Sequence, residues 1–309
     1  MYYPYFRGKQ YELIAIRENA CRMVENIIPI IEPVKRSLSG LKKAIEAMIE
    51  HNVRFILIAN PRCGDLCDDP SPAIDQEIKP ILDNYANWSL GCIIDERSTF
   101  DEIKKNVTLH NDVSIIHNGY PQGSALVDQL KKYRGISAHV FIEDTCSRLY
   151  RRHFVSKQRI LIRNGFIQRT NRNHPEVEHF SDLHITYPDE GMNGFGDFLI
   201  VGSEYSEAGG PAYAVAIHLT FIDHSEDDDM FIKHYVSDRS ATPTDPAGKF
   251  AEALSKLVVD VNKRKSPMFH SDAIKEYLRL HEIGHYPGLG FVKKLSMQHH
   301  IELVANFLE

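Results

Sequence analysis

Cysteine is scarce in this 309-residue chain. There are five (Cys21, Cys63, Cys67, Cys92, Cys146), too few for a disulfide scaffold, and an odd number leaves at least one unpaired within the chain. A reducing cytoplasm is the expected setting. No run approaches the roughly eighteen consecutive apolar residues that a membrane helix needs, so no membrane partner is expected. The opening MYYPYFRGKQYELIAIREN mixes Arg, Lys and Glu among its apolar residues, unlike a secretory signal. A positive excess is also missing. Against 36 Lys and Arg stand 42 Asp and Glu, a formal charge of -6, which argues against broad attraction to nucleic acid or an anionic membrane. Internal repeats are absent, and the one biased tract is the acidic run 225–229. What is present is a globular composition, 43% hydrophobic and 25% charged, sufficient for a sizeable core in one large domain or two.

Short apolar runs that end in polar residues recur at 27–35, 54–61, 91–96, 113–120, 139–144 and 159–165. Rich in Ile and Val and apolar on both faces, they read as parallel strands covered by helices. Helical patterns lie between them at 38–52, 72–88, 98–107 and 124–134, the third opened by a Ser98/Asp101 capping box. This alternation predicts a parallel α/β sheet, with an irregular (β/α) barrel favoured over an open sheet. Beyond Gly165 the pattern changes, with strands expected at 183–187, 197–202 and 212–223. The 203–211 link is too short for a crossover helix, so the last two are expected to pair as a late antiparallel hairpin. From 246 the chain reads as helices. The expected organisation is a barrel-like domain over 1–245 with a C-terminal helical appendage, 246–309, packed on it.

Parallel strands all end on one face, where the following loops build ligand sites. The residues after the apolar runs are therefore the candidates: Glu32, Lys35, Asp95, Glu96, His117, Glu143 and Asp144 for catalysis, and Asn60, Arg163 and Asn164, together with Lys9 and Asp197, for binding, with Arg62 standing on the same rim. Carboxylates with Arg, Lys and His suit a divalent cation, Mg or Mn, together with a phosphorylated or carboxylated ligand. The competing reading is that polar residues merely cap strand ends and begin loops. On the reference pKa of histidine, His117 reads equally as a neutral-pH general base or as a hydrogen-bonded structural histidine, while His218, inside the run AVAIHLTF, reads as a hydrogen-bonded core histidine. The turn sequences GFGDF, with Asp197, and SEAGGPAYA (206–214) fit either close backbone approach to a ligand or plain hairpins.

His281, Glu282 and His285 spell HExxH, which on a helix sets two imidazoles one turn apart for zinc. The extended metalloprotease motif needs a histidine where Phe291 stands, Pro287 ends the helix early, and the upstream strand pattern is wrong for such a protease. Zinc is thus not expected here, although His299, His300 or Glu302 would be available as a third ligand. Cys63 and Cys67 have no second ligand pair nearby, and TDPAGKF lacks the first Gly and the following Ser/Thr of a phosphate loop. The basic stretch from Arg148 to Arg172 fits a grip on phosphate or nucleic acid, with a solvated helix face as the default reading.

Several segments resemble the phage beta-protein family: YYPYFRGKQYELIAIRE leading into IIPIIEPVK, then GFGDF, GGPAYAVAIHLTFID, KHYVSDR, TPTDPAGKF and PGLGFVKKLS. Together they span most of the chain. The resemblance implies an association with satellite phages and bacterial defence, without a transferable chemical activity. It places Lys9, Glu12, Glu32, Lys35 and Asp197 in recurrent motifs, and treats PGLG and KKLS, rather than HExxH, as the typical feature of the last segment.

Two functions of different class follow as expectations. One is a barrel that acts on or senses a phosphorylated or nucleotide-like ligand at the strand-end rim, with Glu32, Asp95, Glu143 and Arg163 converging. The other is a non-catalytic interaction protein whose C-terminal helices dock a neighbouring gene product through an apolar patch near 270–309, with homo-oligomerisation left open. A zinc protease is a distant third.

Overall fold

In the computed structural model, residues 1–68, 74, 76–108, 110–207, 210 and 212–309 are described. They form two compact units: Met1–Asn164 with Thr186–Phe198, and Gly165–Ile185 with Leu199–Glu309.

The first unit is an eight-stranded parallel barrel. In ring order its strands are β1 (Tyr5–Phe6), β2 (Ile30–Ile31), β3 (Phe55–Ile58), β4 (Trp88–Ile94), β5 (Val113–His117), β6 (Ile136–Ile142), β7 (Gln158–Ile162) and β9 (Gly194–Gly196). The backbone N–H groups of Tyr3 and Tyr5 donate to the carbonyls of Phe195 (2.7 Å) and Asp197 (2.9 Å), joining the first strand to the last. Six of the eight strands carry the apolar runs. The two that sequence patterning misses, β1 and β9, are only two and three residues long, too short to show a period.

Strand alternation divides the side chains. Tyr3, Tyr5, Ile30, Ile58, Ile93, Ile116, Val140, Ile160, Ile162 and Phe198 fill the interior as one apolar cluster. The intervening residues face outward. Gly194 and Gly196 let β1 approach: a Cβ at Gly196 would lie 2.0 Å from the Tyr3 carbonyl oxygen. The helices Ser39–Glu50, Phe100–Thr108 and Gly123–Leu130 match the expected ones. Of the helix expected over 72–88, residues 72, 73 and 75 lie outside those described. Lys79–Leu82 is helical, and Trp88 already belongs to β4. The capping box is shifted by one residue. Thr99 and Glu102 exchange backbone-to-side-chain bonds (2.9 and 3.4 Å), while Ser98 turns to Asp95.

The second unit holds a three-stranded antiparallel sheet, ordered β10 (Ala216–Asp223), β11 (Asp229–Val236), β8 (Val177–Ser181), with helices Pro246–Val261, Asp272–Glu282 and Leu289–Leu308. The late hairpin is therefore present but differently placed. β10 and β11 pair across the acidic turn, in which Asp227 and Asp228 take positive φ, and no strand occupies 197–202. Residues 183–186 are a helical turn instead of a strand. The sheet groups with the C-terminal helices, so the compact division is not the one expected at 245. Val215, just before β10, and Ile217, Leu219 and Phe221 on one face of it share a buried cluster with Phe250, Leu254, Leu257, Ile274, Tyr277 and Leu295.

Among the described residues, no helix is long and apolar enough to cross a membrane, and all five cysteines are free thiols.

Candidate functional site

The strand ends of β1 to β4 build a bonded network at the barrel mouth. Glu32, two per cent exposed, continues β2. It accepts from the Tyr5 hydroxyl (2.8 Å) and the Arg62 backbone N–H (2.7 Å), with the Arg7 guanidinium at 3.4 Å. Arg62 Nε lies 3.1 Å from Asp95 Oδ2, and its Nη2 donates to Ser98 Oγ at 2.8 Å. Asp95, one residue past β4, also accepts from the Arg97 backbone (3.0 Å), the Arg97 guanidinium (3.0 and 3.3 Å) and Ser98 Oγ (3.0 Å). Burial raises the Asp95 pKa, but the Arg97 hydrogen bonds, the Arg62 charge and Ser98 outweigh it and hold the carboxyl below its ordinary range. Beneath, the rings of Tyr5 and Phe198 lie 5.0 Å apart, with Arg7 over both at 5.8 and 5.5 Å.

Arg62 also borders a cavity of about 440 Å³ on the outer flank of β3 and β4. It is lined by Asn60, Arg62, Lys79, Trp88, Lys105 and Asn106, with Asp68 and Glu102 among the other walls. Three cations, an indole and amide groups surround a volume within the usual range of small-molecule sites.

The other rim candidates divide. Glu143 and Arg163, after β6 and β7 on the other side of the ring from Glu32 and Asp95, form a fork of 2.5 and 3.2 Å with each other. The expected convergence of four residues is thus two groups on opposite arcs. Asn60 both donates to and accepts from the Ile93 backbone, at 2.8 Å each way, and so ties β3 to β4. Lys35 faces Asp65 at 3.6 Å, Lys9 occupies the N-cap of the Gln10–Asn19 helix, Asn164 is half-buried, and Glu96 and Asp144 are exposed. Two assignments are corrected. His117 faces outward from β5 into an aromatic cluster with Phe141, Tyr150 and Phe154, fully buried. It bonds Tyr150 (2.7 Å) and His139 (2.9 Å), so it is a packing residue remote from solvent. Asp197, likewise outward, accepts from the Tyr2 hydroxyl at 2.8 Å. Among the described residues, no three rim carboxylates or histidines converge within ligand distance of one another.

The HExxH expectation is settled by the helix end. Asp272–Glu282 stops within the motif and Gly284 takes φ +62°, so His281 and His285 do not share a helical face; all five residues are exposed. The available third ligands are engaged elsewhere. His299 bonds Ser271 and the Thr220 carbonyl, His300 bonds Thr220 Oγ1, and Glu302 accepts from the Asp272 N–H. In the basic stretch, Arg151 and Arg169 are paired with Glu190 and Glu178 rather than presented as a phosphate grip.

Arg7, Lys79 and Lys105 were not among the sequence candidates. Arg7 follows a strand too short to recognise. Lys79 and Lys105 are separated in sequence from Arg62 and meet it only through β3–β4 pairing.

Fold and site together define a nearly closed parallel β/α barrel with a cationic pocket on the outer flank of β3 and β4. No family model, curated protein or solved structure matches the chain.

Proposed function

We propose that the barrel binds a phosphorylated or nucleotide-like small molecule beside Arg62, as the ligand-sensing or ligand-processing part of a phage-defence protein. The observation that carries the ligand class is the cavity walled by Arg62, Lys79 and Lys105 next to Trp88. Guanidinium and ammonium groups complement phosphate, and an indole offers a stacking face for a base. Arg62 is held in place by Ser98 and Asp95, so little side-chain freedom is lost on binding. The defence association rests on the family resemblance alone. Asp95 and Glu32 act here as positioning groups for Arg62.

A thermal-shift screen of inorganic phosphate, pyrophosphate, ribose 5-phosphate, ATP and GTP tests this reading. At a hundred times Kd, a ligand selective for the folded state stabilises it by about 2.7 kcal/mol, or several degrees. The shift should vanish in Arg62→Ala and shrink about tenfold in apparent affinity in Lys105→Ala, whose exposed side chain is dispensable for folding. Silence with every phosphorylated compound, or equal shifts in both variants, would end the proposal.

The interaction-protein reading draws no support from the C-terminal helices. Over 270–309 the only large apolar side chains strongly exposed are Ile283 and Leu289, well apart from a continuous patch.

A further inference from the structure

We propose that His174, His218 and His234, in the second unit, form a binding site for zinc or a similar late first-row transition ion. Two strands and one loop build it. In the β10–β11 register His218 stands directly opposite His234, so both rings project from the same face of the sheet. His174 comes from the segment leading into β8, which is fixed to β11 by the His234 N–H donating to the Glu176 carbonyl at 2.9 Å.

One donor atom from each of the three rings lies within 4.8 Å of the others, and among the described residues no other set of His, Cys, Asp or Glu converges in this way. The closest pair, His218 Nδ1 and His234 Nδ1, is 2.6 Å apart. Tetrahedral zinc with ordinary Zn–N bonds sets its nitrogens about 3.3 Å apart. The observed spacings bracket that value, so side-chain rotations suffice and no strand has to move.

Two further features favour an ion over a plain core cluster. The His174 side chain is one per cent exposed, yet its Nδ1 has no hydrogen-bond partner, and Glu178 Oε1 at 3.7 Å is beyond bonding range. A buried unpaired polar atom is costly and calls for an explanation. His234 is also oriented as metal-bound imidazoles usually are. Its Nε2 faces Glu178 Oε1 at 3.0 Å, and a carboxylate only accepts, so Nε2 carries the proton and Nδ1 presents its lone pair toward His218. Arg169 pairs with the same Glu178 oxygen at 2.6 Å, so Glu178 serves as the orienting carboxylate and leaves a fourth position to water.

Metal analysis of the purified full chain after zinc loading and desalting should find about one ion per chain, and Co²⁺ should give the intense visible absorption of a four-coordinate site. Both signals should be lost in His174→Gln and in His218→Gln, the latter at a position that is not fully buried, with folding checked by circular dichroism. Both should persist in His281→Ala. The inference is overturned if the folded protein binds neither ion, if a folded His218→Gln variant binds as before, or if binding disappears with His281→Ala. Because these residues lie in the second unit, failure here leaves the Arg62 pocket untouched, and the reverse holds.

Discussion

Gly196→Ala is expected to abolish the folded barrel. The added methyl would lie 2.0 Å from the Tyr3 carbonyl oxygen and 2.5 Å from Ile162 Cδ1. A side-chain terminus can turn aside. The Tyr3 carbonyl cannot, because its neighbouring N–H groups hold β1 to the last strand at Phe195 and Asp197. Relief requires the first strand to withdraw, which exposes the edges of a sheet that otherwise has none. Overpacking against a flexible core costs about 1–3 kcal/mol; against fixed backbone at a closure point the loss should exceed about 3 kcal/mol, a large part of a domain's usual stability. The readout is soluble yield and the thermal unfolding curve, with Gly210→Ala as control, since nothing lies within 4 Å of a Cβ there. A Gly196→Ala protein melting within a few degrees of the parent would show that the contact is easily relieved.

Acid should destabilise the barrel unit before its ordinary carboxylates titrate. Burial, then the neighbouring His139, pushes the His117 pKa well below its ordinary value. Burial, then the charges of Lys157 and Arg159, lowers His139 to about 3. Both rings are thus neutral in the folded chain across the mildly acidic range, whereas in the unfolded chain they take up protons near pH 6.5. Below that pH the unfolded state binds more protons, so stability is fully present above 6.5 and falls with decreasing pH. The loss continues toward the lowered folded values, at about 1.4 kcal/mol per pH unit for each ring. Between pH 6.5 and 5 the ordinary carboxylates remain ionised, so this window isolates the histidines. Urea unfolding at intervals from pH 7.5 to 5 should show a decline, to which His174, His184, His218, His234 and His299 also contribute through their lowered pKa values, and His139→Gln should make the slope measurably shallower. A flat profile over that range would mean that water or a proton reaches the pair in the folded state.

Much of the architecture could be read from the chain, and the reason is the burial of both faces of a parallel strand. Runs such as FILI in β3 and the core of β4 are apolar without alternation, so they announce themselves whatever their phase. The same property conceals the phase. Nothing in the run VSIIH tells which residues face the barrel interior, and so His117 reads as a rim base although it points outward into Phe141 and Phe154. Glu32 and Asp95 were legible because they follow their strands directly and reach the mouth together; Asp197 follows its strand too, but on the outward parity, against Tyr2.

The six central strands with the helices between them, the parallel sheet, the strand-end carboxylates with Arg62 and the three C-terminal helices were determined by local pattern, which depends on residues a few positions apart. Closure of the barrel, the joining of Arg62 with Lys79 and Lys105, and the meeting of His174 with His218 and His234 were decided only by the tertiary structure. Each depends on register between segments distant in the chain. Register is set by packing and backbone pairing of the whole fold, and a shift of a single residue in β10 or β11 would turn His218 or His234 to the opposite face.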